Sequence, residues 1–178
     1  MGLGGLRHNP RTVVSGMPSP MSSKPRLLLA FVLAVLLAAL LASIFQTQTN
    51  LAALQALGAP MPLQVRVGTT CLDLLGFAPV FALLAALGFL FALPLATWCA
   101  QRLPPLRWMI FLLAGALAIW VALALANMLA PMPTLIAANR TLIGTLGLMA
   151  SGSAGALLFA LLARRVRYLT QPTSSDLP

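Results

Sequence analysis

The groups in this chain that could do chemistry are few and far apart. Its 178 residues include two acids, Asp73 and Asp176, two cysteines, Cys71 and Cys99, and a single histidine, His8. One stretch, "TTCLDLLGFAP" from Thr69 to Pro79, sets a thiol two positions from a carboxylate at the mouth of an apolar run. A reactive thiol needs a neighbouring cation or imidazole to hold it as thiolate, and this stretch contains neither. Thiol–disulfide chemistry needs the second cysteine within reach. If Cys71 and Cys99 lie on one helix, about 28 residues at about 1.5 Å each put them roughly 42 Å apart. A disulfide requires Cα atoms within about 7 Å.

Other chemistries fail for similar reasons. Haem ligation calls for a histidine or comparable ligand inside the apolar segments, and His8 lies in the leader. Zinc chemistry needs several His, Asp or Glu converging on one point. Ser151 and Ser153 have no base near them in sequence; in a glycine-rich helix they are expected to bond back to their own carbonyls. A proton-coupled carrier built from four helices needs a carboxylate at mid-depth, where this sequence has none. No catalytic residue, cofactor or metal is therefore expected, and the chain reads as a non-enzyme.

Composition points to the medium in which the chain works. Hydrophobic residues make up 60%, charged residues 7%, and the mean hydropathy is +0.97, well beyond a soluble domain that must cover its core with polar groups. Four segments are long and apolar enough to cross a hydrocarbon core of about 30 Å: residues 27–45, 74–98, 106–130 and 141–163. The first, "LLLAFVLAVLLAALLASIF", is apolar apart from Ser43 and lacks the period-two alternation of a membrane β-barrel strand. The expected fold is all-α: a polytopic four-transmembrane-helix bundle, residues 24–168, between a tail at 1–23 rich in Gly, Pro and Ser and a C-terminal tail at 169–178.

A net charge of +9 would suit nucleic acid, but its distribution does not. With the N-terminus inside, Arg7, Arg11, Lys24, Arg26, Arg102, Arg107, Arg164, Arg165 and Arg167 are all cytoplasmic, leaving Arg66 and Arg140 outside. That positive-inside bias predicts a multi-pass protein of the cell inner (plasma) membrane with both termini cytoplasmic. Trp98, Trp108 and Tyr168 fall at the same inner boundary, where amphipathic rings prefer to sit. The first span is expected to be an uncleaved helix, since its apolar run is longer than the usual 7 to 15 residues of a signal peptide. The expected partners are the lipid bilayer and a second copy or another membrane protein; nucleic acid is not among them.

The connections set the arrangement. "QRLPPLR" reads as a tight turn, with Pro104 and Pro105 ending one helix and opening the next. Between the first two spans, "LAALQAL" after Asn50 reads as a short outer amphipathic helix stopped at Gly58 and Pro60, and "LQVRVG" as an extended segment. Thr70 and Asp73, three apart, resemble a capping box opening the second span. Pro79 and Pro94 should kink that span, and Thr134 could cap the fourth helix.

Two groups of residues are candidates for a role. Gly147, Ser151 and Gly155 form a small-residue stripe suited to close helix packing, within the bundle or between two copies; the internal contact is the simpler reading. Asp73, Asn127, Asn139, Arg140 and Arg66 share an outer depth and form a polar collar. Such a collar would bind a polar or anionic group, or tie the helix tops together with Arg140 or Arg66 facing Asp73; the second reading requires less. The function expected is that of a non-catalytic structural or interaction component, with a subunit of an oligomeric transporter or channel for a small solute as the alternative.

Overall fold

The computed structural model describes residues 23–129 and 141–170. They form four long helices and one short turn of 3₁₀ helix: α1 (Ser23–Ala56), α2 (Leu63–Arg102), the 3₁₀ turn Pro104–Leu106, α3 (Arg107–Leu129) and α4 (Leu142–Thr170). All four long helices are long and apolar enough to cross a membrane, and there is no strand among the described residues.

Residues 63–68, expected to be extended, are helical. Their Val content favours strands only where a sheet exists to receive it, and here α2 simply starts ten residues before Asp73. The "LAALQAL" segment is likewise the end of α1 and not a separate helix, because Asn50 continues the helix instead of capping a new one. The stop falls at Gly58. Its φ of 87° is the left-handed conformation that glycine adopts without a steric penalty, and the Gly58 and Ala59 N–H groups donate to the carbonyls of Gln55 and Leu54. At the other end of α2, the Leu103 N–H donates to the Cys99 carbonyl, and the two prolines start the 3₁₀ turn as expected. Thr141 caps α4: the Gly144 N–H donates to Thr141 Oγ1 at 3.0 Å. Thr134 lies outside the described residues.

Each helix is antiparallel to its neighbour in sequence, and α4 returns against α1, so the order around the bundle is α1, α2, α3, α4. The core is built from aromatic and branched side chains of α2, α3 and α4, with Phe81, Phe89, Leu93, Phe111, Ile119 and Leu148 fully buried. Helix α1 contributes mostly methyl groups, including Ala34, Ala38 and Ala42. On α3 the inward face is Phe111, Gly115, Ala118, Ile119 and Leu123. Of the alanines spaced by four along α3, only Ala118 belongs to that face; Ala114, Ala122 and Ala126 are half-buried. Large apolar side chains such as Leu36, Leu83, Leu113 and Leu146 point outward on every helix.

Close backbone approach determines the crossings. A Cβ placed on Gly155 would stand 2.6 Å from the Ala34 carbonyl oxygen and 3.0 Å from the Ala38 Cβ, so α4 meets α1 there backbone to backbone. One placed on Gly147 would run into the Phe45 ring of α1. On the other side of α4, Gly152 faces Gly115 of α3, where an added Cβ would come within 2.6 Å of the Gly115 carbonyl oxygen. Gly147 and Gly155 therefore serve the α1–α4 contact, and Gly152 and Gly115 the α3–α4 contact. Ser151, 4% exposed, donates to the Leu148 carbonyl of its own helix at 2.6 Å.

Gly155→Leu and Gly115→Leu should each lower stability in detergent by about 1–3 kcal/mol or more, because neither site can accept a side chain without separating two backbones. Gly76 faces open space, so Gly76→Ala should leave stability unchanged or raise it by about 0.5–1 kcal/mol. Thermal unfolding of the three variants in one detergent checks this; equal behaviour of all three would contradict the packing described.

Candidate functional site

At the end of the bundle that holds the α1–α2 connection, α1 and α2 are joined by polar side chains. The chain's geometry explains why they meet: both helices continue well past the core, and at 43, 46 and 47 the buried face of α1 changes from alanine to Ser, Gln and Thr. Thr47, fully buried, places Oγ1 2.7 Å from Asp73 Oδ2 and 2.8 Å from the Ser43 carbonyl. A hydroxyl carries one proton, so Thr47 serves one of these acceptors at a time as donor. Around it, Ser43 Oγ and Gln46 Oε1 are buried without a hydrogen-bond partner.

Asp73 therefore does not open α2; it lies in the third turn and reaches across to α1. Thr70 makes no capping box with it. Its hydroxyl donates to the Arg66 carbonyl at 2.7 Å and accepts from Gln48 Nε2 at 3.3 Å. The reason is the early start of α2, which moves both residues from the helix end, where amide donors are free, to its interior, where they are not. Arg66 lies about two turns nearer the connection than Asp73 and is engaged there by two glutamines of α1. Its Nη2 donates to Gln55 Oε1 at 2.6 Å and its Nη1 to Gln48 Oε1 at 3.3 Å.

Of the expected collar, then, Asp73 and Arg66 belong to the α1–α2 pair without facing each other. Asn127 lies apart from them, in a second recess of about 440 Å³ between α3 and α4 that also takes in Trp120, Thr141 and Thr145. Asn139 and Arg140 lie outside the described residues. The glutamines and Thr47 were the missed participants. Their signal in the sequence is the run "SIFQTQTN", a polar cluster following directly on an apolar span.

The opposite end of the bundle carries a larger feature. A cleft of about 880 Å³ opens between α1, α2 and α4, walled by Leu27, Phe31, Leu93 and Phe159, floored by Phe89, and edged by Lys24, Thr97, Trp98 and Gln101. Pro94 lies in its wall. With no N–H at Pro94, the Leu90 carbonyl one turn earlier lacks its usual helical donor. Thr97 Oγ1 donates to the Leu93 carbonyl at 2.7 Å, and the Arg102 guanidinium stacks 5.2 Å from the centre of the Trp98 ring. Nearby, Arg107 of α3 donates to the Ala160 carbonyl of α4 at 3.0 Å.

Among the described residues there is no cluster of three or more His, Cys, Asp or Glu that could hold a metal ion, and Cys71 and Cys99 are free thiols at opposite ends of α2. The arrangement defines a class: an all-helical bundle of four helices, each able to span a membrane, with a polar seam at one end and an apolar cleft at the other. No protein-family model, curated protein or solved structure matches the chain.

If Thr47 and Asp73 interact directly, Thr47→Val and Asp73→Asn should be non-additive, with a coupling of about 0.5–3 kcal/mol in a double-mutant cycle. Stability in detergent is the readout, and additive losses would argue against the bond.

Proposed function

We propose that this chain is an integral protein of the cell inner (plasma) membrane that acts without catalysis, as a structural or interaction component. One observation carries the reading: several polar side chains of the bundle join one helix to another. Thr47 meets Asp73, Arg66 bridges Gln48 and Gln55, Arg107 reaches the Ala160 carbonyl, and Ser153 Oγ lies 2.9 Å from the Leu112 carbonyl of α3. Outward-facing Leu on all four helices, joined by Val on α1, α2 and α3 and by Ile143 on α4, suits a hydrocarbon solvent, since water would penalise so large an apolar surface.

On this reading both termini are cytoplasmic, and the cleft end, with Lys24, Arg26, Arg102 and Arg107, faces the cytoplasm. The projecting end of α1 and start of α2, with Leu54, Leu57 and Leu63 exposed, rests at the outer surface as the amphipathic element. A second reading, as subunit of an oligomeric transporter or channel, draws on the cleft beside Pro94, since a proline-interrupted helix next to a cavity is a common setting for a solute path.

Three measurements test these statements. The protein should stay with the membrane pellet after alkaline extraction. In intact cells a membrane-impermeant maleimide should label Cys71 and not Cys99; the reverse pattern would overturn the orientation. Proteoliposomes should release small solutes no faster than protein-free vesicles, whereas a protein-dependent flux would transfer support to the transporter reading.

A further inference from the structure

We propose that the cleft between α1, α2 and α4 is a binding site for one anionic phospholipid of the cytoplasmic leaflet, acyl chain inside and phosphate at Lys24 and Arg102. The inference rests on the membrane reading given above and adds a ligand to it.

Shape supports a chain-like occupant. The volume of about 880 Å³ is in the range of small-molecule pockets, about 300–1,000 Å³. From Phe89 to Gln101 the cleft follows α2 for about 12 residues, or about 18 Å at about 1.5 Å per residue. Half of a hydrocarbon core of about 30 Å is about 15 Å, so the cleft spans the depth of a single leaflet. Its deep part is made of Phe31, Phe89, Leu93 and Phe159, and its polar residues, Lys24, Thr97 and Gln101, belong to the end where α2 finishes. An amphiphile with one polar end matches this gradient, and a uniformly polar solute does not.

Charge decides which amphiphile. Lys24 edges the cleft, and Arg102 lies over the Trp98 ring that lines it. The one acid among the described residues, Asp73, is at the far end of the bundle and engaged with Thr47. No carboxylate among the described residues therefore neutralises the mouth, and a phosphodiester supplies the missing negative charge where a zwitterionic head group would bring its own cation as well. Trp98, half exposed beside this charge, is suited to the boundary between acyl chain and head group.

Fluorescence quenching offers a direct test with the full-length protein in detergent micelles. In a Trp108→Phe, Trp120→Phe background, Trp98 is the sole tryptophan, and phosphatidylglycerol or phosphatidylcholine with brominated acyl chains serves as probe. Phosphatidylglycerol should quench Trp98 saturably, at several-fold lower lipid concentration than phosphatidylcholine. Lys24→Gln should raise the phosphatidylglycerol midpoint by about fivefold, the effect of one basic group near a lipid surface. Leu28→Phe and Leu90→Phe, at lining positions that are exposed and so can change without disturbing the core, should weaken quenching by both lipids. Equal quenching by the two lipids, or a midpoint unmoved by Lys24→Gln, would overturn the proposal. So would an absence of quenching together with Cys99 crosslinking of two copies, which would mean that a second chain closes the cleft. Failure of the protein to remain in the membrane on alkaline extraction would instead remove the reading on which the site rests.

Discussion

Two helices can bring their backbones into contact only where neither carries a side chain larger than a methyl group, and that steric condition governs this bundle. Helix α4 meets it on two sides, through Gly155 against Ala34 and Ala38 of α1 and through Gly152 against Gly115 of α3. In hydrocarbon, where no solvent drives apolar surfaces together, such contacts supply the dispersion energy that holds helices in register. Because α4 is pinned between α1 and α3, α2 must close the ring from the opposite side. The phenylalanines Phe81, Phe89 and Phe111 then fill the interior that the small residues leave.

The same constraint explains where polar groups are found. Once the middle of the bundle is occupied by close-set backbones, methyl groups and phenylalanine rings, amides and most hydroxyls have room only towards its ends. There they satisfy one another across α1 and α2, at Thr47 with Asp73 and at Arg66 with Gln48 and Gln55. Serine is the exception, small enough to enter the packed zone: Ser151 and Ser153 sit deep in α4 and use helix carbonyls as acceptors. Around Pro94, by contrast, the packing is open, and α1, α2 and α4 line a cleft there.

Much of this was legible beforehand because it depends on local chemistry. Apolar runs of spanning length announce helices wherever they fall, Gly58 announces a helix stop, and Pro104 with Pro105 a turn. Misreadings arose where local signals were read without knowing how far a helix extends. Asn50 and Thr70 have the right chemistry for helix starts, yet both are interior, because α1 runs through one and α2 begins before the other. A cap is defined by its position at an end, and the end was set by the pairing of α1 with α2 beyond the core.

By itself, then, the sequence determined the four long apolar helices, the antiparallel order of neighbours, and the shortage of groups able to do chemistry, all of which follow from composition and spacing along one dimension. The tertiary structure decided who meets whom. It gave Asp73 a threonine 26 residues away as its partner and Arg66 two glutamines, and it separated Asn127 from both. It also made Lys24, Trp98 and Phe159 neighbours around one cleft. The rotation of each helix about its own axis chose these partners, and spacing within any one helix does not specify it; for α1, α3 and α4 the glycine crossings of α4 bear on it.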